Sequence, residues 1–145
     1  LHYRSHSFPT RRSSDLMLSY SNFGSSSHPM ANKVEDAVKF LRRSHPNMIV
    51  DGPIQSDFAL NKLMLTNKFE ESKLGNQKVN ILVFPNLDSA NITYKVIKEI
   101  DGAKSIGPII MGLDKAVHIL QLKPSVEEIV NMSAIAVIDA QSRNE

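Results

Sequence analysis

The 145-residue chain has no cysteine and no tryptophan, and aromatic residues make up only 6% of it. The missing cysteine excludes disulfide scaffolds, thiolate zinc sites, iron–sulfur clusters and cysteine nucleophiles, and it suits a reducing, cytoplasmic setting. Scarce aromatics leave little for the bases of single-stranded nucleic acid to stack on. No apolar run approaches the roughly 18 residues of a membrane span, so no membrane partner is expected. No GxGxxG fingerprint occurs. Residues 107–112 have P-loop spacing but are followed by Leu113-Asp114, not by Lys and Ser or Thr. His28, His45 and His118 have no i,i+3 or i,i+4 pairing, so neither a metal site nor a resident cofactor is expected.

The net charge is +2 with a pI near 8.9. Arg4, Arg11 and Arg12 against Asp15 account for all of it, and everything after residue 16 is neutral. A nucleic-acid role has no support outside that segment. Residues 1–16, LHYRSHSFPTRRSSDL, lack the apolar stretch of a secretory signal and resemble translated sequencing-adapter read-through. We expect residues 1–16 to be a non-native tail and residues 17–145 to be a fragment of a larger domain.

From Met17 onward short apolar runs alternate with helical periods. Strands are expected at 17–20, 48–51, 79–84, 105–111 and 117–120, the third being nearly continuous in apolar residues. Helices are expected at 31–43, where Val34, Ala37, Val38 and Leu41 share a stripe, and at 56–65, 88–100 and 125–141. Residues 69–78 read as a polar loop, and Gly52-Pro53 as a strand stop. Ser125 and Glu128 have the spacing of a capping box. The alternation predicts an α/β fold, three-layered, with a mostly parallel sheet covered by helices.

Ligands of open α/β sheets bind in the loops at the carboxyl ends of strands. Residues 19–27 (SYSNFGSSS) offer Ser19, Ser21, Gly24 and Ser25 to a phosphate or amide group, or form a solvated loop. Asn86, Asp88 and Asn91 lie where a strand turns into a helix, whose free amides suit an anion. The alternative there is that Asp88 or Ser89 simply caps the helix. His118, in an apolar stretch, reads as a satisfied core residue.

Five collinear blocks carry more than composition: MLSYSNFGS, IVDGPIQSDFAL, NILVFPNLDSANITYKVIK, SIGPIIMGLDKAVHILQL and SVEEIVNMSAIAVIDAQ. Together they resemble the C-terminal half of a phosphate acetyl/butyryltransferase domain. The resemblance implies a two-domain α/β architecture in which acyl-CoA and phosphate meet in the interdomain cleft. In active members, Ser-Arg-Gly precedes the last helix and an Asp lies in its first turn. That Asp takes the thiol proton of CoA, while the Ser and Arg handle acetyl phosphate. Aligned on Ser125-Val126-Glu127, those positions become Gln121, Leu122 and Lys123, with Glu128 at the Asp as the one candidate base.

Leu122 cannot supply the planar cationic fork, and losing one preorganised donor costs about 3–4 kcal/mol of transition-state stabilisation. The variant HILQL–SVEEIVNM–AIAVIDAQ looks most like the phosphotransacetylase-like domain fused behind bacterial NADP-dependent malic enzymes. That likeness implies an acetyl-CoA-sensing, homo-oligomerising module without efficient transferase activity. NADP and a divalent metal would belong only to the part of such an enzyme outside this chain. Gln121 is added to the candidate ligand residues on the same ground.

Overall fold

A computed structural model of the chain describes residues 13–70, 72, 74, 79–100 and 104–142. These residues divide between two compact units, one within Arg12–Val96 and one within Ile97–Glu145.

The first unit is built on three parallel strands, β1 (Ser14–Leu18), β2 (Ile49–Ile54) and β3 (Ile81–Val83), in the order β2-β1-β3. The central strand begins three residues before the expected start at Met17, so Ser14, Asp15 and Leu16 of the segment set aside as a tail are buried in the sheet. Leu16 pairs with Asp51 on one side and Leu82 on the other. Ser14 fixes the start of β3, donating its amide to Asn80 Oδ1 at 2.8 Å. Pro85 ends that strand as its missing N–H requires.

β2 does not stop at Gly52-Pro53. Leu16 and Leu18 face Asp51 and Ile54, so β2 accommodates an extra residue there as a bulge. Gly52 sits at φ +119°, and a Cβ on it would lie 2.5 Å from the Met17 carbonyl oxygen. Only glycine fits that close approach. Pro53 is tolerated because β2 has no further strand on its outer side among the described residues.

α1 (Pro29–Ser44) buries Ala31, Val34 and Val38, the stripe read from the sequence, with Pro29 in its first turn and His28 accepting from the Met30 amide. The expected helix at 56–65 is two helices, α2 (Ser56–Leu60) and α3 (Lys62–Lys68). Asn61 divides them, its side chain accepting from the Met64 amide as the cap of α3. Leu16, Leu18, Ile54, Phe58, Ala59, Leu65 and Leu74 form one core cluster, with Phe69 packed on it. Leu74 is fully buried, so the stretch expected as a polar loop supplies core side chains at Phe69 and Leu74.

α4 (Leu87–Ile100) contributes residues to both units. In the second unit the described residues 104–125 contain no strand, although strands were expected at 105–111 and 117–120. An apolar run is not by itself a strand, which also needs a regular ladder of backbone hydrogen bonds with a neighbour. α5 (Val126–Ser142) closes the unit. Its capping box forms as expected: Ser125 donates its amide to Glu128 Oε2 at 2.7 Å, and Glu128 donates its own to Ser125 Oγ at 3.2 Å.

Candidate functional site

Because all three strands run parallel, the loops after β1, β2 and β3 emerge along one edge of the sheet. Ser19, Ser21, Gly24 and Ser25 occupy the loop after β1. That loop is an ordered hydrogen-bonded turn. Ser21 Oγ and Ser25 Oγ are 3.0 Å apart, Ser25 Oγ accepts from the Asn22 amide, and Gly24 takes φ +82°. The turn is tied to the end of β2 through the Phe23 amide to the Pro53 carbonyl (2.7 Å) and the Gln55 amide to Asn22 Oδ1 (2.8 Å). Its hydroxyls are largely spent on holding its own shape.

Asn86, Asp88 and Asn91 lie at the start of α4, after β3. The cap there is Asn86, whose Oδ1 accepts from the Ser89 amide at 2.9 Å, whereas Asp88 or Ser89 was expected. Asp88 and Asn91 are exposed on the first turns of the helix.

Beside β2 lies a cavity of about 340 Å³ lined by Phe23, Arg42, Asp51, Lys68, Glu70 and Ser72, among others. Asp51 is 1% exposed, and its carboxylate is bonded by the Arg42 guanidinium, by Ser72 Oγ at 2.6 Å and by the Gly52 amide at 2.9 Å. Sequence reasoning missed this network. The signal available was an aspartate closing the apolar run Met48-Ile49-Val50, where a buried charge demands a partner.

Gln121 and Glu128 belong to the second unit, which brings them together. A cavity of about 250 Å³ is lined there by Lys98, Ser105, Gln121, Lys123, Glu128 and Asn131, with Leu122 on its wall. Leu122 is 99% exposed, and Lys123 holds a left-handed backbone at φ +58°. Lys98 Nζ is 3.9 Å from Glu128 Oε1. The Ser125 amide, helped by the Ser125 hydroxyl and Lys98, holds the Glu128 carboxyl below its usual range. A carboxylate so stabilised accepts protons less readily near neutral pH.

His118 is buried as expected but is not satisfied. Its Nε2 lies 3.3 Å from Asp139 Oδ2, out of hydrogen-bond alignment, and neither ring nitrogen makes a hydrogen bond. Among the described residues, no cluster of three His, Asp or Glu side chains is placed to hold a metal ion. None of their helices is long and apolar enough to cross a membrane.

A parallel α/β sheet with its polar loops on the carboxyl edge defines a fold class that binds ligands at that edge. The particular family follows from comparison with known proteins. The phosphate acetyl/butaryl transferase model matches residues 6–137, and the chain belongs to that family. The EutD phosphotransacetylase from Staphylococcus aureus superposes with a TM-score of 0.79 at 31% identity, covering 90% of this chain and 40% of that one. The NADP-dependent malic enzyme of Escherichia coli (strain K12) is 38% identical over 128 residues, 88% of this chain and 17% of the enzyme. The phosphate acetyltransferase of Clostridium acetobutylicum is 38% identical over 125 residues, 86% of this chain and 37% of that protein. The chain therefore spans less than half the length of each of these relatives.

Proposed function

We propose that the chain is part of an acetyl-CoA-sensing, oligomerising phosphotransacetylase-like domain of a cytoplasmic NADP-dependent malic enzyme, in which acetyl transfer has been lost. The observation that carries this reading is Gln121-Leu122-Lys123 on the wall of the cavity beside α5. At the centre of that triplet, where a guanidinium would grip a phosphoryl group or a developing oxyanion, the chain presents the hydrocarbon of Leu122. Glu128 is committed to the helix cap and is held ionised by it. NADP and the divalent metal would be held by the remainder of such an enzyme.

A second reading is an active phosphate acetyltransferase, converting acetyl-CoA and phosphate to acetyl phosphate and CoA with Glu128 as base. The position of Glu128 in the cavity favours it, and the malic enzyme and the acetyltransferase are equally similar to this chain. Thermal unfolding of the full-length protein tests the first reading. Saturating acetyl-CoA should raise the Tm, because a ligand that binds only the native state stabilises it. An unchanged Tm, with unchanged malic-enzyme kinetics, would reduce the domain to a structural role.

The same account keeps residues 1–16 as non-native sequence running into β1. Asp15 supports it: a middle strand of a parallel sheet calls for aliphatic side chains on both faces, and Asp15 Oδ1 is buried there without a partner.

A further inference from the structure

We propose that the cavity beside β2 binds a zwitterionic α-amino acid with an aromatic side chain, its carboxylate met by Arg42 and Lys68 and its ammonium by Glu70. This cavity lies wholly in the first unit and shares no residue with the cavity beside α5.

Unspent charge selects the ligand class. Arg42 places Nε on the Val50 carbonyl at 3.3 Å and Nη2 on Asp51, and its Nη1 has no partner among the described residues. Asp51 is satisfied by Arg42, the Ser72 hydroxyl and the Gly52 amide, so the Arg42–Asp51 pair adds no net charge to the cavity. Lys68 and Glu70 line the same cavity, yet among the described residues neither forms an ion pair, with the other or with any further side chain. Opposite charges that line one cavity without pairing are complementary to a ligand that carries both signs. An anion alone would leave Glu70 unmet, and a cation alone would leave Lys68 unmet.

The cationic groups are anchored at the wall. Lys68 Nζ lies 4.8 Å from the centre of the Phe58 ring, and Phe58 packs edge-on against Phe69, which lines the cavity. The Arg42 guanidinium is held there by Asp51, itself on the wall. Phe23 completes the aromatic side, its ring centre 4.8 Å from that of Phe69. Its backbone is left-handed at φ +42°, a conformation rare for so bulky a residue, and its amide is tied to the Pro53 carbonyl at 2.7 Å. Strain of this kind persists where the surroundings enforce it and concentrates at ligand clamps. The cavity of about 340 Å³ falls within the usual range for small-molecule sites, and its two phenylalanine rings suit an aryl side chain.

Calorimetric titration of the full-length protein with L-phenylalanine tests the proposal, with 3-phenylpropionate (no ammonium) and phenethylamine (no carboxylate) as comparisons. L-phenylalanine should bind, and each comparison compound should bind at least about tenfold more weakly for lack of one charge-assisted bond. Glu70→Gln should bring L-phenylalanine down to the affinity of 3-phenylpropionate and leave that of 3-phenylpropionate unchanged. Lys68→Gln should instead bring it down towards phenethylamine. Both side chains are exposed, so both variants should fold, which an unshifted urea midpoint confirms. Absence of L-phenylalanine binding, equal affinity for the three compounds, or a full preference for the zwitterion in either folded variant would each overturn the proposal.

Discussion

Replacing Asp15 should make the protein more stable, and the gain should depend on pH. Asp15 lies on the central strand, 7% exposed, with Oδ1 buried and lacking a hydrogen bond. Burial raises its carboxyl above the ordinary 3.8, and a Ser13 side-chain hydrogen bond offsets only part of this. An acid whose pKa is raised by folding contributes its full stability below the unfolded value and loses it as the pH climbs through the folded value. Folding therefore works against the ionised form of this carboxyl, and the protein is less stable at neutral pH than it would be with Asp15 protonated in both states. An unsatisfied buried polar atom costs about 1–3 kcal/mol, and Asp15→Val should recover about that much. Asp15→Asn isolates the charge: its advantage over the parent should be present near neutrality and vanish below 3.8. Urea unfolding midpoints at several pH values measure both. A pH-independent difference for Asp15→Asn, or a lower midpoint for Asp15→Val at neutral pH, would refute the reasoning.

Gly52→Ala should lower stability by more than about 2 kcal/mol in the same assay, since it forces a Cβ to 2.5 Å from the Met17 carbonyl at φ +119°. Arg42→Ala should cost about 2–3 kcal/mol, the lower part of the range for breaking a buried pair, because Asp51 keeps the Gly52 amide and the Ser72 hydroxyl. Adding Asp51→Asn to it should restore part of the loss by removing the stranded charge. Ser125→Ala should cost about 1 kcal/mol through the lost cap of α5, visible as faster amide exchange over its first turn.

Features coded over a few neighbouring residues were legible in the sequence. The stripe at Val34 and Val38 fixed the buried face of α1, and Ser125 with Glu128 marked the start of α5. What failed were features decided by distant neighbours. Strands at 105–111 and 117–120 were inferred from apolar runs, yet the described residues 104–125 contain no strand, because an apolar run does not reveal whether a ladder partner lies beside it. Gly52-Pro53 read as a stop, but Met17 alongside turns it into a bulge within β2. The split between α2 and α3 was legible in principle, because Asn61 is a strong cap residue inside an otherwise continuous helical pattern. For the site, the sequence grouped Gln121, Leu122, Lys123 and Glu128 only by resemblance, and the cavity now places all four on one wall system. The contributions of Lys98 and Ser105 came from the fold, since they lie more than fifteen residues before Gln121, whereas Asn131 follows Glu128 by one helical turn and was within reach of a helical-face argument.

Acetyl phosphate formation by the full-length protein is the most direct test of the central claim. With saturating acetyl-CoA and phosphate, the account predicts no acetyl phosphate above the uncatalysed background, because Leu122 supplies no cation and Glu128 is tied to Ser125. Enzymatic formation that disappears in Glu128→Gln would contradict it and establish a working transferase.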